Sequence, residues 1–297
     1  MRLVPKGGTA TEHIVTMCGN KSKRADVVTS EEKKMGENVN LDSDELTAME
    51  DLAVIHDSQR LWDDAEVRRE KMLEANKNLY GERNETSLIA MDHLAATYSI
   101  RNRCAEAAAL EAKILEIRIE SRGEENADTV NAMEHLAGTY ARQERWAEVE
   151  ALEEKILQAN ISLIGNAHAD TLAAMESLAV TYGKKGKWED VEALEEKCLQ
   201  VQIKLYGERR AETIVGMENL AATYAIRKRW ADEELLRERI IEARATLQGE
   251  EDPDTMADMR DLALAYWNRA HWGKAEPLFS RLLEVTSRVS GVKHLNT

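Results

Sequence analysis

Proline and aromatic residues are scarce in this chain of 297 residues. Only 3 prolines occur, and Phe, Trp and Tyr together make up 5% of the sequence. β-Sandwiches and β-barrels draw on aromatic and β-branched residues, whereas the Ala, Leu and Glu that are abundant here favour helix. We therefore predict an all-α protein.

Cysteine and long apolar runs are scarce as well. Cys18, Cys104 and Cys198 are too few and too scattered for a disulfide framework or a zinc cluster, which predicts a reducing compartment, the cytoplasm. No run approaches the roughly 18 apolar residues that a membrane helix needs. The first ten residues, MRLVPKGGTA, lack the apolar segment of a signal peptide. We predict no association with a membrane.

Basic residues are outnumbered. The chain has 40 Lys and Arg against 55 Asp and Glu, a net charge of −15. Phosphate backbones are bound by clustered positive charge, so this balance argues against a nucleic-acid partner. Because 43% of the residues are hydrophobic, the composition nevertheless predicts a folded chain rather than a disordered one.

The strongest feature is a period of 42 residues that runs six times without an insertion. A methionine recurs at this step, at Met49, Met91, Met133, Met175, Met217 and Met259. A Leu-Ala pair follows each methionine, then a tyrosine (His56 in the first copy), a tryptophan (Cys104 in the second) and a closing glycine. These glycines are Gly81, Gly123, Gly165, Gly207, Gly249 and Gly291. Such regularity is typical of a repeat protein.

Each copy predicts two helices joined by a short polar turn. The Met, Leu, Ala and Tyr stand at i, i+3, i+4 and i+7, one stripe of an α-helix that we name helix A. An Asp-Thr pair before the stripe, Asp128–Thr129 in the third copy, is a candidate N-cap. Helix B begins near the tryptophan, and the glycine ends it. We interpret the tryptophans, Cys104 and Cys198 as core residues.

A lone helical hairpin leaves much of its apolar surface in water, so the copies must stack on one another. The predicted repeats span about 45–81, 86–123, 128–165, 170–207, 212–249 and 254–291. Residues 1–44 lack the period and are interpreted as a flexible segment or a degenerate repeat. Residues 292–297 form a short tail without a polar capping helix, which suggests end-to-end self-association.

The run Met-x-x-Leu-Ala-x-x-Tyr, with Val or Ala nine residues further on, resembles the tetratricopeptide repeat (TPR) signature. The 42-residue period, and the acidic link Gly249–Thr255, resemble the longer repeats of kinesin light chain. The resemblance covers residues 45–291 and implies a right-handed α-solenoid superhelix whose A helices line a concave groove. HEAT or armadillo arrays have a similar period, but the small Ala and the Tyr stand where a TPR needs them.

The resemblance also implies which residues face the groove, namely those one, five and eight residues after each methionine. The first of these rows is acidic and consists of Glu50, Asp92, Glu134, Glu176 and Glu218, with Arg260 last. The second is small or aliphatic and consists of Val54, Ala96, Gly138, Val180, Ala222 and Leu264. Arg142 and Lys184 add positive charge one residue beyond the third row, in which Trp267 is a candidate anchor.

One departure from the family limits what can be carried over. Kinesin light chain repeats carry Asn one residue before the helix A leucine, where it can bond a peptide backbone, and only Asn219 matches. Acidic cargo peptides would also meet the acidic row poorly. The heptad coiled coil that binds the motor's heavy chain is missing from this sequence, so a motor role is not supported.

We therefore predict a non-catalytic scaffold that binds a protein or peptide partner, with basic flanks, in the groove. The alternative is a sensor or regulatory array derived from a signalling (STAND-type) ATPase, or a kinesin light chain-like cargo adaptor. No phosphate-binding loop, H-E-x-x-H or C-x-x-C motif occurs. We accordingly expect no catalytic residues, no cofactor and no metal, including at the equivalent residues His93 and His135.

Overall fold

The structure is a computed structural model that describes residues 43–295. The interpretations of the segment 1–44 and of the tail at 292–297 therefore lie largely outside the described residues. Within the described range every regular element is an α-helix. The A helices, of 16 residues each, are α1 (Ser43–Ser58), α3 (Glu85–Ile100), α5 (Ala127–Arg142), α7 (Ala169–Lys184), α9 (Ala211–Ile226) and α11 (Pro253–Asn268).

The B helices alternate with them. Five have 19 residues and the last has 24. They are α2 (Trp62–Tyr80), α4 (Cys104–Arg122), α6 (Trp146–Ile164), α8 (Trp188–Tyr206), α10 (Trp230–Gln248) and α12 (Trp272–Leu295). The repeat of two helices that the period predicts is thus confirmed, with one correction. Gly291 does not close the sixth repeat but lies inside α12.

The chain forms two compact units. The first comprises Met1–Gly123 with Gly138–Gln143, and the second comprises Glu124–Ala137 with Glu144–Thr297. In the first unit α1 packs on α2, α2 on α3, and α3 on α4. In the second unit each helix from α6 to α12 packs on the next one along the chain. This consecutive packing makes the fold an all-α repeat solenoid.

The core of each repeat is the predicted stripe of helix A. Each repeat methionine is at most 5% exposed and each following leucine at most 9%. In α9 and α11 these residues pack between the B helices on either side, for example Met217 and Leu220 with Leu199 of α8 and Leu236 of α10. Every A helix therefore supplies core to its own repeat and to the repeat before it.

The turn from helix A to helix B repeats one strained backbone conformation. A left-handed residue with φ between 57° and 73° occurs in each, at Arg60, Asn102, Glu144, Gly186, Lys228 and Ala270. Two residues in this turn bond back to the end of helix A, as where Arg103 N donates to Tyr98 O at 2.8 Å. This is a Schellman motif, in which glycine is the usual left-handed residue. Only one of the six turns has glycine there.

The link from helix B to the next helix A requires glycine for a different reason. Gly81, Gly123, Gly165, Gly207 and Gly249 have φ of 82° to 97° and ψ of 156° to 169°. That region is accessible essentially to glycine alone. The glycine carbonyl then accepts a hydrogen bond from a buried hydroxyl of the next helix A, from Thr171 to Gly165 and from Thr213 to Gly207 at 2.8 Å.

The Asp-Thr pair is not the N-cap that its composition predicts. In α5 the cap lies two residues earlier, where Asn126 Oδ1 accepts from Asp128 N at 3.0 Å. Asp252 caps α11 in the same way by accepting from Asp254 N at 3.0 Å. Asp128 thus stands in the first turn, where a negative charge complements the helix dipole. The threonine beside it is buried within the link.

Candidate functional site

A row of small or aliphatic residues is exposed along the A helices. Its members stand five residues after each methionine and are exposed in every repeat, namely Val54, Ala96, Gly138, Val180, Ala222 and Leu264. Five residues turn a helix by roughly 140° beyond a full turn, which carries this row away from the buried stripe. The exposed fraction reaches 62% at Val180. We name this set the apolar row.

The acidic row beside it is partly occupied by contacts within the array. Asp92 Oδ2 lies 3.6 Å from Arg118 Nη2 in the first unit. In the second unit Glu176 Oε1 accepts from Gln202 Nε2 at 3.1 Å, and Glu218 forms an ion pair with Arg244. The partner in each case lies on helix B of the same repeat. These carboxylates therefore hold helix A to helix B as well as facing solvent.

Glu50 has two cationic neighbours, Arg69 Nη2 at 3.3 Å and His93 Nδ1 at 3.0 Å. Burial acts to raise the pKa of Glu50, but the hydrogen bonds and charges of His93 and Arg69 outweigh it and hold that pKa below its usual value. The hydrogen bond to Glu50 in turn raises the pKa of His93. His93 is therefore a bridge between the first two A helices.

Glu134 differs from the other members of the acidic row. Partial burial and the nearby negative charge of Asp170 raise the pKa of Glu134. Its carboxylate therefore lies in a negative potential, which an incoming positive charge would relieve.

The three remaining polar site residues have different surroundings. Asn219 is exposed and borders a small cavity with Glu176, Cys198 and Gly216. Arg142 Nη2 donates to Ser99 Oγ at 2.7 Å in the first unit. Lys184 lies in the second unit with its Nζ 6.0 Å from the centre of the Trp146 ring.

Trp267 is exposed but has an aromatic partner. Its ring meets that of Trp272 edge-on with 4.5 Å between centroids, and the two residues are 54% and 52% exposed. The interpretation of the tryptophans as core is wrong for Trp272 and for Trp230, which is 41% exposed. The reason is their place as the first residue of helix B, at the edge of the array. Arg269 stacks over Trp230 at 4.3 Å.

Two sequence profiles of the tetratricopeptide repeat family match this periodic, two-helix pattern, one over residues 87–128 and the other over residues 128–204. The chain is a tetratricopeptide repeat protein. No curated protein matches it in sequence.

Solved tetratricopeptide structures share its fold. A kinesin light chain-like protein of Podosopora anserina with nearly identical TPR-like repeats matches with a TM-score of 0.59 at 19% identity, over 68% of this chain and 96% of that one. BtubC (BKLC) from P. vanneervenii matches with a TM-score of 0.56 at 18% identity, over 82% of this chain and 94% of that one. The repeats are thus kinesin light chain-like in fold.

A third match is a multidomain protein. It is a signal transduction ATPase with numerous domains (STAND) from Pyrococcus horikoshii, which has a tetratricopeptide repeat sensor. The TM-score is 0.57 at 14% identity, and the match covers 84% of this chain but 38% of that one. This likeness, too, is one of fold.

Neighbouring tetratricopeptide repeats are also joined by polar contacts that recur with the period. The helix A tyrosine donates to a glutamate of the preceding helix B, as from Tyr98 to Glu70 at 2.9 Å and from Tyr182 to Glu154 at 3.0 Å. Burial and this hydrogen bond raise the pKa of Tyr98 to about 12. The 28-residue spacing between the two residues is visible in the sequence and could have revealed these pairs.

Two half-buried glutamates lie where successive tetratricopeptide repeats meet. Burial raises the pKa of Glu153 and of Glu195, although each carboxylate is hydrogen-bonded to a threonine of the next repeat, Thr181 or Thr223. In both, Oε2 is buried without a hydrogen-bond partner. The ionised form is therefore the less stable one in the folded array.

Changing Glu195 to Gln is expected to stabilise the protein at pH 7. The folded-state pKa is raised, so stability linked to this group is complete below the ordinary value of 4.5 and is lost as the pH rises through the raised value. Urea unfolding from pH 4 to pH 8 should show Glu195→Gln gaining on the wild type as the pH increases. Glu154→Gln is the control, because Glu154 is exposed and accepts from Tyr182. An equal gain in both variants would contradict the assignment.

Reactive and metal-binding groups were examined over residues 43–295. In that range no cluster of three or more His, Cys, Asp or Glu is placed to hold a metal ion. Burial raises the pKa of Cys198 to about 12, so its thiol is protonated and packs as an apolar group. Cys104, which we interpreted as core, is only half-buried. Among the described helices, none is both long enough and apolar enough to cross a membrane.

Proposed function

We propose that this tetratricopeptide protein is a non-catalytic scaffold that holds a peptide or helical segment of a partner protein against its A helices. The observation that carries the proposal is the apolar row, which is exposed in all six repeats. Contiguous exposed apolar surface is uncommon on soluble proteins and marks sites of interaction. An extended segment or an amphipathic helix would cover such a row by burying alternate or i, i+3 and i+4 side chains.

The second compact unit supplies the clearest set of contacts for such a segment. Val180 and Leu264 are 62% and 43% exposed and would receive apolar side chains. Trp267, 54% exposed, would serve as an aromatic anchor. The amide of Asn219, exposed between them, can pair with a peptide backbone.

The charge of the site favours basic residues on the partner. Glu134 and Glu176 are exposed, and Glu134 already has a raised pKa because of Asp170. Lys or Arg residues flanking the apolar contacts would lower this local negative potential and speed association. We therefore propose a partner segment of apolar side chains with basic flanks.

Reversing Glu134 and Glu176 to Lys is expected to weaken binding of such peptides roughly tenfold or more, because attraction becomes repulsion. Peptides are first selected from a displayed random library on the wild-type protein, and their Kd values are then measured by fluorescence anisotropy. Glu218 is left unchanged because its ion pair with the largely buried Arg244 would be lost. The melting temperature should change little.

The matched control reverses Glu116 and Glu284, two exposed carboxylates on B helices, and makes the same change in net charge. These residues should leave the Kd within about twofold of the wild type. Selected peptides without an excess of Lys and Arg, or an equal loss of affinity in both double variants, would show that the acidic row does not read the partner.

A further inference from the structure

Each B helix except the last is covered by the repeat that follows it, and one carboxylate recurs in this contact. Glu66 on α2 forms ion pairs with Arg101 and Arg103, which stand 35 and 37 residues further on, in the next turn. The same two spacings recur in the second unit, where Glu150 meets Lys185 and Lys187, Glu192 meets Arg227 and Arg229, and Glu234 meets Arg269 and His271. The next repeat thus contributes two basic residues to every such carboxylate.

The one repeat that lacks the carboxylate also lacks the first of the two bases. Ala108 stands at the equivalent position on α4, and the residue 35 positions later is Gln143. Gln143 Nε2 donates instead to the carbonyl of Cys104 at 2.6 Å. The acid and the base therefore occur together or not at all, as expected of a contact that joins two repeats.

An apolar residue and an aromatic ring complete the covered face. Leu199 on α8 is 5% exposed because it packs on Ile214, Met217 and Leu220 of the next repeat. Ile241 on α10 is 3% exposed and packs on the next repeat in the same way. The tryptophan that begins the helix lies under a cation of the next repeat, as Trp230 lies under Arg269.

The equivalent residues of α12 are uncovered. Leu283, at the position of Leu199 and Ile241, is 69% exposed, and Trp272 is 52% exposed. Glu276, at the position of Glu192 and Glu234, is also exposed. Among the described residues, no cation lies within ion-pair distance of its carboxylate. Trp272, Glu276 and Leu283 together form what we name the α12 face.

We propose that the α12 face binds a helical hairpin of a partner protein that carries two basic residues in its turn. The apolar side chain, the carboxylate and the ring match the three groups that a following repeat covers elsewhere in this chain. The partner's first helix would pack on Leu283, and its turn would bring one base to Glu276 and another over Trp272.

A second copy of this chain fits the α12 face poorly. The first repeat has Gln59 and Leu61 at the positions of Arg101 and Arg103. Neither residue can pair with the carboxylate of Glu276. The chemistry of the face thus selects a partner with a basic turn over head-to-tail stacking of identical chains.

The test supplies a hairpin of known basic turn. Residues 292–297 are replaced by a copy of residues 208–248, which places the copied Arg227 and Arg229 at 35 and 37 residues beyond Glu276. Circular dichroism should show the added helix, and amide hydrogen exchange in residues 272–290 should slow about tenfold. In the extended chain, Glu276→Lys should abolish most of that protection. Changing the two copied arginines to Glu in the Glu276→Lys background should restore it.

Three results would overturn the proposal. The first is a copied hairpin that stays unfolded, and the second is one that folds without slowing exchange in α12. The third is dimerisation of the unextended chain, measured by light scattering, that Leu283→Glu abolishes, because the occupant would then be a second copy.

Discussion

Replacing Leu178 by alanine is expected to reduce the free energy of unfolding by about 2–5 kcal/mol, the usual range for emptying a well-packed core position. Leu178 is 3% exposed and belongs to the central stripe of α7. Because an A helix contributes core to two repeats, the cavity should loosen the contacts on both sides of it. Chemical denaturation measures the loss of stability.

The spread of the effect is the sharper measurement. Hydrogen exchange should accelerate in the neighbouring helices α6 and α9 as well as in α7 and α8, since stability in a solenoid is shared between adjacent repeats. Val180→Ala is the control, because Val180 lies on the same helix but is 62% exposed. Faster exchange confined to residues 170–207 would show that the repeats are energetically independent.

Replacing Gly207 by alanine is expected to cost about 1–3 kcal/mol, although the new methyl group meets no other atom within 4 Å. The cost is conformational, because Gly207 has φ of 84° and ψ of 164°, where a Cβ atom clashes with its own backbone. Thermal and urea unfolding measure it.

Gly138 provides a matched control for this prediction. It lies inside α5 with ordinary helical φ, and a methyl group there also has open space. Gly138→Ala should therefore stabilise the protein by roughly 0.5–1 kcal/mol, since alanine is the better helix former. The account of the link would be untenable if both substitutions had the same sign.

The period could be converted into structure because equivalent residues of a repeat have equivalent surroundings. The methionine and leucine positions predicted the core of every A helix, and the residue five places after each methionine predicted an exposed row. The closing glycine predicted the end of helix B in five repeats. It failed at Gly291, where α12 continues through the glycine. A glycine permits a helix to end but does not enforce it.

The candidate site was predictable only as a pattern of rows. The sequence placed Glu218 in an acidic row, but not its ion pair with Arg244, which depends on how helix B lies against helix A. Trp267 stood out because it breaks its row, whereas its contact with Trp272 crosses the turn. The left-handed turn residues went unnoticed because five of the six are not glycine. There the hydrogen bonds of the turn, rather than the residue type, impose the conformation.

Residue order alone determined the number of repeats, the alternation of two helices and which side of each helix is buried, because these follow from hydrophobic spacing along one chain. Only the tertiary structure decided which charges are neutralised within the array and which surfaces stay open. Ion pairs such as Glu66 with Arg101 join residues that are distant in sequence, and their existence depends on the distance between packed helices. Leu283 is as apolar as Leu199, and only the presence or absence of a neighbouring helix makes one a core residue and the other a surface.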